Sequence, residues 1–315
     1  MTASGDLEYA VGMDIGGTKT EGVVVDGDGT VLASLVRATP YGASAVVDAS
    51  TAMVTQLLVD SGVELVPNRP VGVGIPGLVD VRSGTVKHAV NLGIDGEWLT
   101  LGEQLSARLD HPVVIENDVN VAALGTTPLL PSGRARDLAY LSIGTGLAAG
   151  LVLDGRLRRG VHGAAGEVGH LAVDPNGVLC TCGQRGCLET IGSGSAIEAA
   201  WPSTGEAGPA VSLFRAADAG DPEAVEIVRR FAGAVATTIR VLCLTVDVES
   251  IVVGGGVARV GDPLLRAVRA ELEAQAQGSA FLSSLNLAER VLLVPVGYPA
   301  AAVGAALLGR AEVAP

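Results

Sequence analysis

Residues 170–189 read HLAVDPNGVLCTCGQRGCLE and gather one imidazole, His170, and three thiols, Cys180, Cys182 and Cys187, into a single loop. Zn²⁺ takes thiolate and imidazole ligands in a tetrahedron, and Cys₃His is a standard closed structural set. Gly183 and Gly186 let the chain double back so that the thiolates converge on one ion. Two carboxylates bracket the loop, Glu167 before His170 and Glu189 after Cys187. The plain reading is a staple with solvated acids; the richer one is a metal knot that aims both acids at a ligand. A disulfide fits poorly, because Cys180 and Cys182 are too close in sequence to pair and nothing marks the chain as secreted. Cys243 stands apart in an apolar helical pattern and reads as packing.

Two glycine turns form the next chemical signal. AVGMDIGGTKTEGVVVDG near the start aligns with LAYLSIGTGLAAGLVLDG further on, pairing Ile15 with Ile143, Gly16 with Gly144, Gly22 with Gly150 and Asp26 with Asp154, each 128 positions apart. Composition alone does not explain four coincidences at one offset, so the chain carries a duplicated strand–turn–strand unit. Either turn by itself reads as a hairpin, where glycine is the default residue. As a pair, with Asp14, Thr18, Lys19 and Thr145 at their tips, they suit phosphate binding by backbone N–H groups. No Walker string occurs, which excludes a P-loop. Residues 72–77 match G-x-G-x-x-G, but Pro76 and the strand-like sequence that follows exclude a dinucleotide fold. Gly254, Gly255 and Gly256 follow a β-branched run and by themselves read first as a plain strand-to-helix turn, and second as a place where a planar ligand can lie close to the backbone.

Glu116-Asn117-Asp118-Val119-Asn120 follows a short strand and opens a helix. An Asp or Asn there is a routine helix cap, and the helix dipole keeps a carboxylate in that place ionised. Held against a hydroxyl in a dry site, it also serves as a general base.

The elements that must position these groups alternate. Strands are expected at residues 9–14, 21–26, 31–36, 71–75, 113–115, 250–253 and 291–295. Helices are expected at 43–60, 99–109, 118–125, 195–200, 209–217, 222–244, 263–276 and 300–310. The result is layered α/β architecture. With 315 residues, 48% of them apolar, the chain has material for two cores. A formal net charge of −13 argues against a nucleic-acid footprint. The opening residues lack a signal-peptide pattern and no apolar run is long enough to span a bilayer, so a cytoplasmic setting without membrane contact is expected.

In order, DIGGTK, ENDVN, SIGTG, GEVGH, CTCGQRGCLE and IVVGGG resemble the ROK family of bacterial sugar kinases and related repressors over nearly the whole chain. The resemblance implies an actin-like, hexokinase-type (ribonuclease H-like) α/β fold of two similar domains with an active-site cleft between them. The expected division is 1–117, joined by the C-terminal helix at about 300–315, and 118–299 with the zinc loop. It implies that Asp14, Gly16, Gly17, Thr18, Lys19, Gly144, Thr145 and Gly146 cradle ATP phosphates with Mg²⁺, and that Gly254–Gly256 lie near adenosine. Asp118 matches the family's catalytic base. Asn117, Glu167, His170 and Glu189 match sugar contacts, and Gly77 and Asn91 match sugar-side loops. The implied activity is an ATP-dependent hexose kinase with a structural Zn²⁺, acting on glucose first, in a homodimer or higher homo-oligomer. Mannose, fructose, N-acetylglucosamine and N-acetylmannosamine are not separated by these motifs. A repressor would need a helix-turn-helix for which few residues precede the first strand, and a silent sugar sensor is disfavoured by an intact Asp118. Polyphosphate as donor goes with relatives that usually lack the cysteine loop. Departures from the family pattern are Ala148-Ala149 in the second turn and the acid-free YPAAAVGAA.

Overall fold

The computed structural model describes residues 9–67, 69–131, 136–202 and 208–311. By its internal contacts the chain divides into two units. The first runs to Pro131 and takes back Arg159–Gly163 and the stretch from Pro299; the second holds the chain up to Arg158 and Ala164–Tyr298.

The first unit opens with β1 (Ala10–Ile15), β2 (Lys19–Val25) and β3 (Val31–Ala38), followed by α1 (Ala43–Ser61). Helix α1 buries Val46, Val47, Ser50, Met53, Val54 and Leu57, the spacing of one helical face, and Gly62 ends it in the left-handed conformation. Next come β4 (Val71–Ile75), the short hairpin β5 (Leu78–Asp80) and β6 (Thr85–Lys87), α2 (Leu101–Leu109), β7 (Val113–Asn117) and α3 (Asp118–Gly125). Among the described residues the main sheet has the order β3-β2-β1-β4-β7, with β1 and β2 antiparallel and β1, β4 and β7 parallel.

The second unit repeats the plan. It contains β8 (Leu138–Ile143), β9 (Leu147–Leu153), β10 (Arg156–Leu157), α4 (Glu189–Gly192), α5 (Gly194–Ala200), α6 (Gly208–Asp218) and α7 (Pro222–Val246). It continues with β11 (Ser250–Gly254), α8 (Asp262–Ala276), α9 (Ala280–Ser284) and β12 (Val291–Leu293). Its sheet has the order β10-β9-β8-β11-β12, with β8 and β9 antiparallel and β8, β11 and β12 parallel. Asp221 caps α7 by accepting from Glu223 N and Ala224 N, with Pro222 in the first turn. The same helix carries Phe231 edge-on to Phe214, ring centroids 6.3 Å apart. Fully buried side chains of this size contribute about 1.5–3 kcal/mol each.

Helix α10 (Ala300–Ala311) returns to the first unit and lies against β1, β4 and α3. The approach is close: a Cβ on Gly12 would strike Ala302 O, one on Gly72 would strike Ala305 O, and one on Gly125 would strike Ala300 O.

Three expectations are corrected. The division falls after Pro131 rather than at 117, because α3 packs on α10 inside the first unit. Helix α2 starts at Leu101, since Leu99 is held in a backbone bridge to Val86. Strand β12 stops at Leu293; Pro295 has no N–H to continue a ladder.

Candidate active site

In the first unit the parallel strands β1, β4 and β7 present their carboxyl ends along one sheet edge, where α/β sheets commonly bind ligands. Asp14, Gly74 and Glu116 lie in one register row across these strands. A side chain on Gly74 would fill the space bounded by Asp14 Oδ1 and Asp118 Cα. Asn117 ends β7 and caps α3, its Oδ1 accepting from Val119 N at 2.9 Å and Asn120 N at 3.3 Å. Asp118 is the first residue of that helix, and its Oδ1 also accepts from Val119 N at 3.0 Å. Asn117 Nδ2 donates to Gly77 O at 3.4 Å, which joins two of the expected sugar-side residues. Asn91 sits on a short 3₁₀ turn against Gly17, where a Cβ would come within 2.9 Å of the Asn91 Cβ.

Asp14 is the electrostatic anomaly of this edge. Its Oδ1 is shielded from solvent and has no hydrogen-bond partner. Burial, then the charges of Asp118 and Glu21, push its pKa up to about 8, and Lys19 pulls it back only in part. Lys19 Nζ instead reaches Glu21 Oε2 at 2.8 Å. An orphaned buried carboxylate oxygen is costly unless something arrives to use it. It fits Mg²⁺, which binds through one or two carboxylates together with water and substrate phosphates.

In the second unit the matching turn is held by Gly144 N donating to Gly146 O at 3.0 Å, and Gly194 N donates to Gly144 O at 2.7 Å. Beside it lies a cleft of about 520 Å³ whose lining includes Gly144, Thr145, Ser195, Glu198, Gly256 and Arg259. Of the three expected adenosine-side glycines, Gly256 lines this cleft. Gly254 packs on Tyr140, and Gly255, at φ +85°, on the backbone of Ile143, where a Cβ would collide. Sequence reasoning missed Ser195, Glu198 and Arg259. The available signal was Ser193-Gly194-Ser195, a cap pattern: the Ser193 side chain accepts from Ala196 N at the start of α5.

The ligand atoms of His170, Cys180, Cys182 and Cys187 all lie within 4.8 Å of one another. Cys182 and Cys187 sulfurs are 3.6 Å apart, and Cys180 Sγ is 3.7 Å from His170 Nδ1. A tetrahedron with Zn–S of about 2.3 Å places its sulfurs about 3.8 Å apart, so this donor set fits the ion. Without it, hydrogen bonds from Gln184 N–H and the Gln184 side chain draw the Cys182 thiol down to about 6. Burial, with the neighbouring thiols, pushes Cys187 up to about 12. A cation bound here would expel the proton that Cys187 otherwise holds.

His170 turns its other nitrogen, Nε2, toward Glu167 Oε2 at 3.9 Å. Glu189 has a different set of neighbours. Its Oε2 accepts from Leu147 N at 3.1 Å, and its Oε1 lies 3.8 Å from Cys180 Sγ. A side chain on Gly146 would run into the same carboxylate. Glu189 therefore ties the cysteine loop to the second glycine turn, a link that sequence reasoning did not foresee. No helix among the described residues is long and apolar enough to cross a membrane.

The chain is similar along its length to proteins of known kind. A glucokinase of Streptomyces coelicolor is 34% identical, with 96% of this chain and 98% of that protein covered. A crystal structure of a ROK hexokinase from Thermus thermophilus matches with a TM-score of 0.78 at 32% identity, covering 97% of this chain and 99% of that one. A ROK family glucokinase from Streptomyces griseus, solved in complex with glucose and AMPPNP, gives a TM-score of 0.77 at 33% identity, covering 96% of this chain and 100% of its own. The two sheets with their antiparallel hairpins and parallel neighbours are those of the actin-like, hexokinase-type fold. The family model described as ROK family matches residues 10–312. With the motifs on both sheet edges and this chain-long match, the protein belongs to the ROK family.

Proposed function

We propose that this chain is an ATP-dependent hexose kinase that transfers the γ-phosphoryl group of ATP to the 6-hydroxyl of glucose. The observation that carries the reading is the carboxylate pair at the edge of the first sheet. Asp118 opens a helix capped by Asn117, and Asp14 carries a buried oxygen with no hydrogen-bond partner. Asp118 takes the proton of the attacking hydroxyl as its oxygen bonds to phosphorus. The bond from the γ-phosphorus to its bridging oxygen breaks, and ADP leaves. Mg²⁺, when bound, neutralises the phosphate charge, and Asp14 is the residue that would hold it. The backbone of residues 16–19 and 144–146 binds phosphate oxygens, and the cleft lined by Gly256 and Arg259 takes the nucleoside.

On the sugar side, Asn91, Asn117, Glu167 and His170 supply directional polar contacts, with Gly77 keeping the loop against Asn117 and Glu189 reaching the same ligand from the cysteine loop. Such contacts reject sugars that lack or invert a hydroxyl far better than apolar ones do. Zn²⁺ on His170, Cys180, Cys182 and Cys187 would be structural, fixing the imidazole so that its free nitrogen meets a hydroxyl. A thiol-rich loop of this kind suits the cytoplasm, and we read the working form as a homodimer or higher homo-oligomer.

The test is ADP release with Mg-ATP and a panel of glucose, mannose, fructose, N-acetylglucosamine and N-acetylmannosamine. Glucose is expected to give the highest kcat/KM, and a different winner would move the assignment to that sugar's kinase. Asp118→Asn should lower kcat by about 10²–10⁴-fold while calorimetry still registers sugar binding. Full turnover by that variant would remove Asp118 as the base.

A further inference from the structure

Glu116 precedes the catalytic cap and is only 2% exposed. Its two oxygens are fully engaged. Oε1 accepts from Asn117 N at 2.9 Å and from Asn120 Nδ2 at 3.0 Å, and Oε2 accepts from Arg159 Nε. Asn117 and Asn120 flank Asp118 and Val119, so the first turn of α3 is built on this one carboxylate. A buried charge of this kind is tolerable only when paired, and removing one partner leaves the other uncompensated. The cation comes from Arg159–Gly163, which joins the first unit although the chain on either side of it belongs to the second.

We propose that Arg159 is a positioning residue for phosphoryl transfer: by neutralising Glu116 it fixes the orientation of Asp118 and the charge around it. The proposal rests on Asp118 being the base. Asp14 on β1 interacts with Asp118 electrostatically, Lys19 and Glu21 of β2 act on Asp14, and Glu116, paired with Arg159, lies on β7 two residues before Asp118. Strand β4 and residues 300–309 of α10 contribute no ionisable group. Loss of the guanidinium leaves a second negative charge two residues from the base and loosens the turn that carries it.

The test compares Arg159→Met, Arg159→Lys and the double variant Glu116→Gln/Arg159→Met, each with a thermal melt. Arg159→Met is expected to lower kcat on the order of 100-fold, the cost of a small misplacement of a catalytic group. The sugar KM should change less than about twofold, which separates positioning from binding, and the acidic limb of the kcat–pH profile should move to higher pH. The double variant, which removes both charges, should return the limb to its wild-type position and recover most of kcat. Lys should rescue only in part, because it lacks the planar fork of arginine. If Arg159→Met does not fold, the Lys and double variants carry the same comparison. An unmoved pH limb, or a loss of kcat that merely follows the melting temperature, would make the pair structural and overturn the proposal. Full turnover by Asp118→Asn would instead overturn the base assignment, so the two failures are distinct.

Discussion

The two glycine hairpins share a frame and differ in charge. Strands β1 and β8 are offset by 128 residues at both ends, and so are β2 and β9. The sheets around them have corresponding orders and strand directions. At matching positions, however, Asp14 corresponds to Ser142, Gly17 to Thr145, and Lys19 to Leu147. The first turn carries a buried acid, and the second leaves open space at Gly144 beside a cleft. The lesson is that one strand–turn–strand frame can be used twice, with a buried acid on one copy and an uncharged turn beside a cleft on the other.

This contrast breaks most sharply at its charged end. Asp14→Asn should reduce kcat/KM by on the order of 10³-fold, as expected when charge stabilisation of the transferring group is lost. The matched Ser142→Ala should lose less than about tenfold. Steady-state kinetics on the pair decides it, and equal losses would show that the two turns work alike.

Metal removal sharpens the other half. Cys182→Ser, or a chelator with metal content read by mass spectrometry, should lower the melting temperature and weaken sugar binding in calorimetry. Sugar affinity that stays the same without metal would make the knot a remote staple. Because Glu189 bridges Cys180 and Leu147 N, nucleotide affinity should weaken as well.

The smallest effect is a pH dependence peculiar to the first turn. Burial and the neighbouring acids push Asp14 up to about 8, well above the ordinary carboxylate range, so the folded state holds a proton that the unfolded state gives up earlier. Stability of the ligand-free protein should therefore fall as pH rises through that interval and level off above it. Asp14→Asn should flatten the slope in melts taken from about pH 5 to about pH 8.5. An identical slope in wild type and variant would remove Asp14 as its source.

The hairpins, the capped helix at Asn117 and the Cys₃His cluster were legible in the sequence because each is specified by residues close together in the chain. What escaped was set by distant partners. Nothing local to Asp118–Gly125 says that this helix belongs with Ala300–Ala311; the close passage of Gly125 and Gly304 decides it. Glu189 read as a ligand contact by its place after the cysteines, but the Leu147 N–H it meets is 42 residues away. The Arg159 partner of Glu116 is 43 residues away and carries no motif.

The seating of α10 has a consequence for biosynthesis. Gly12, Gly72 and Gly125 are shaped to receive a helix that the ribosome makes only after the strands it covers. Until residues 300–311 are made, β1 and β4 lack the helix that packs against them, so the earliest-translated strands depend for their cover on a late-translated segment.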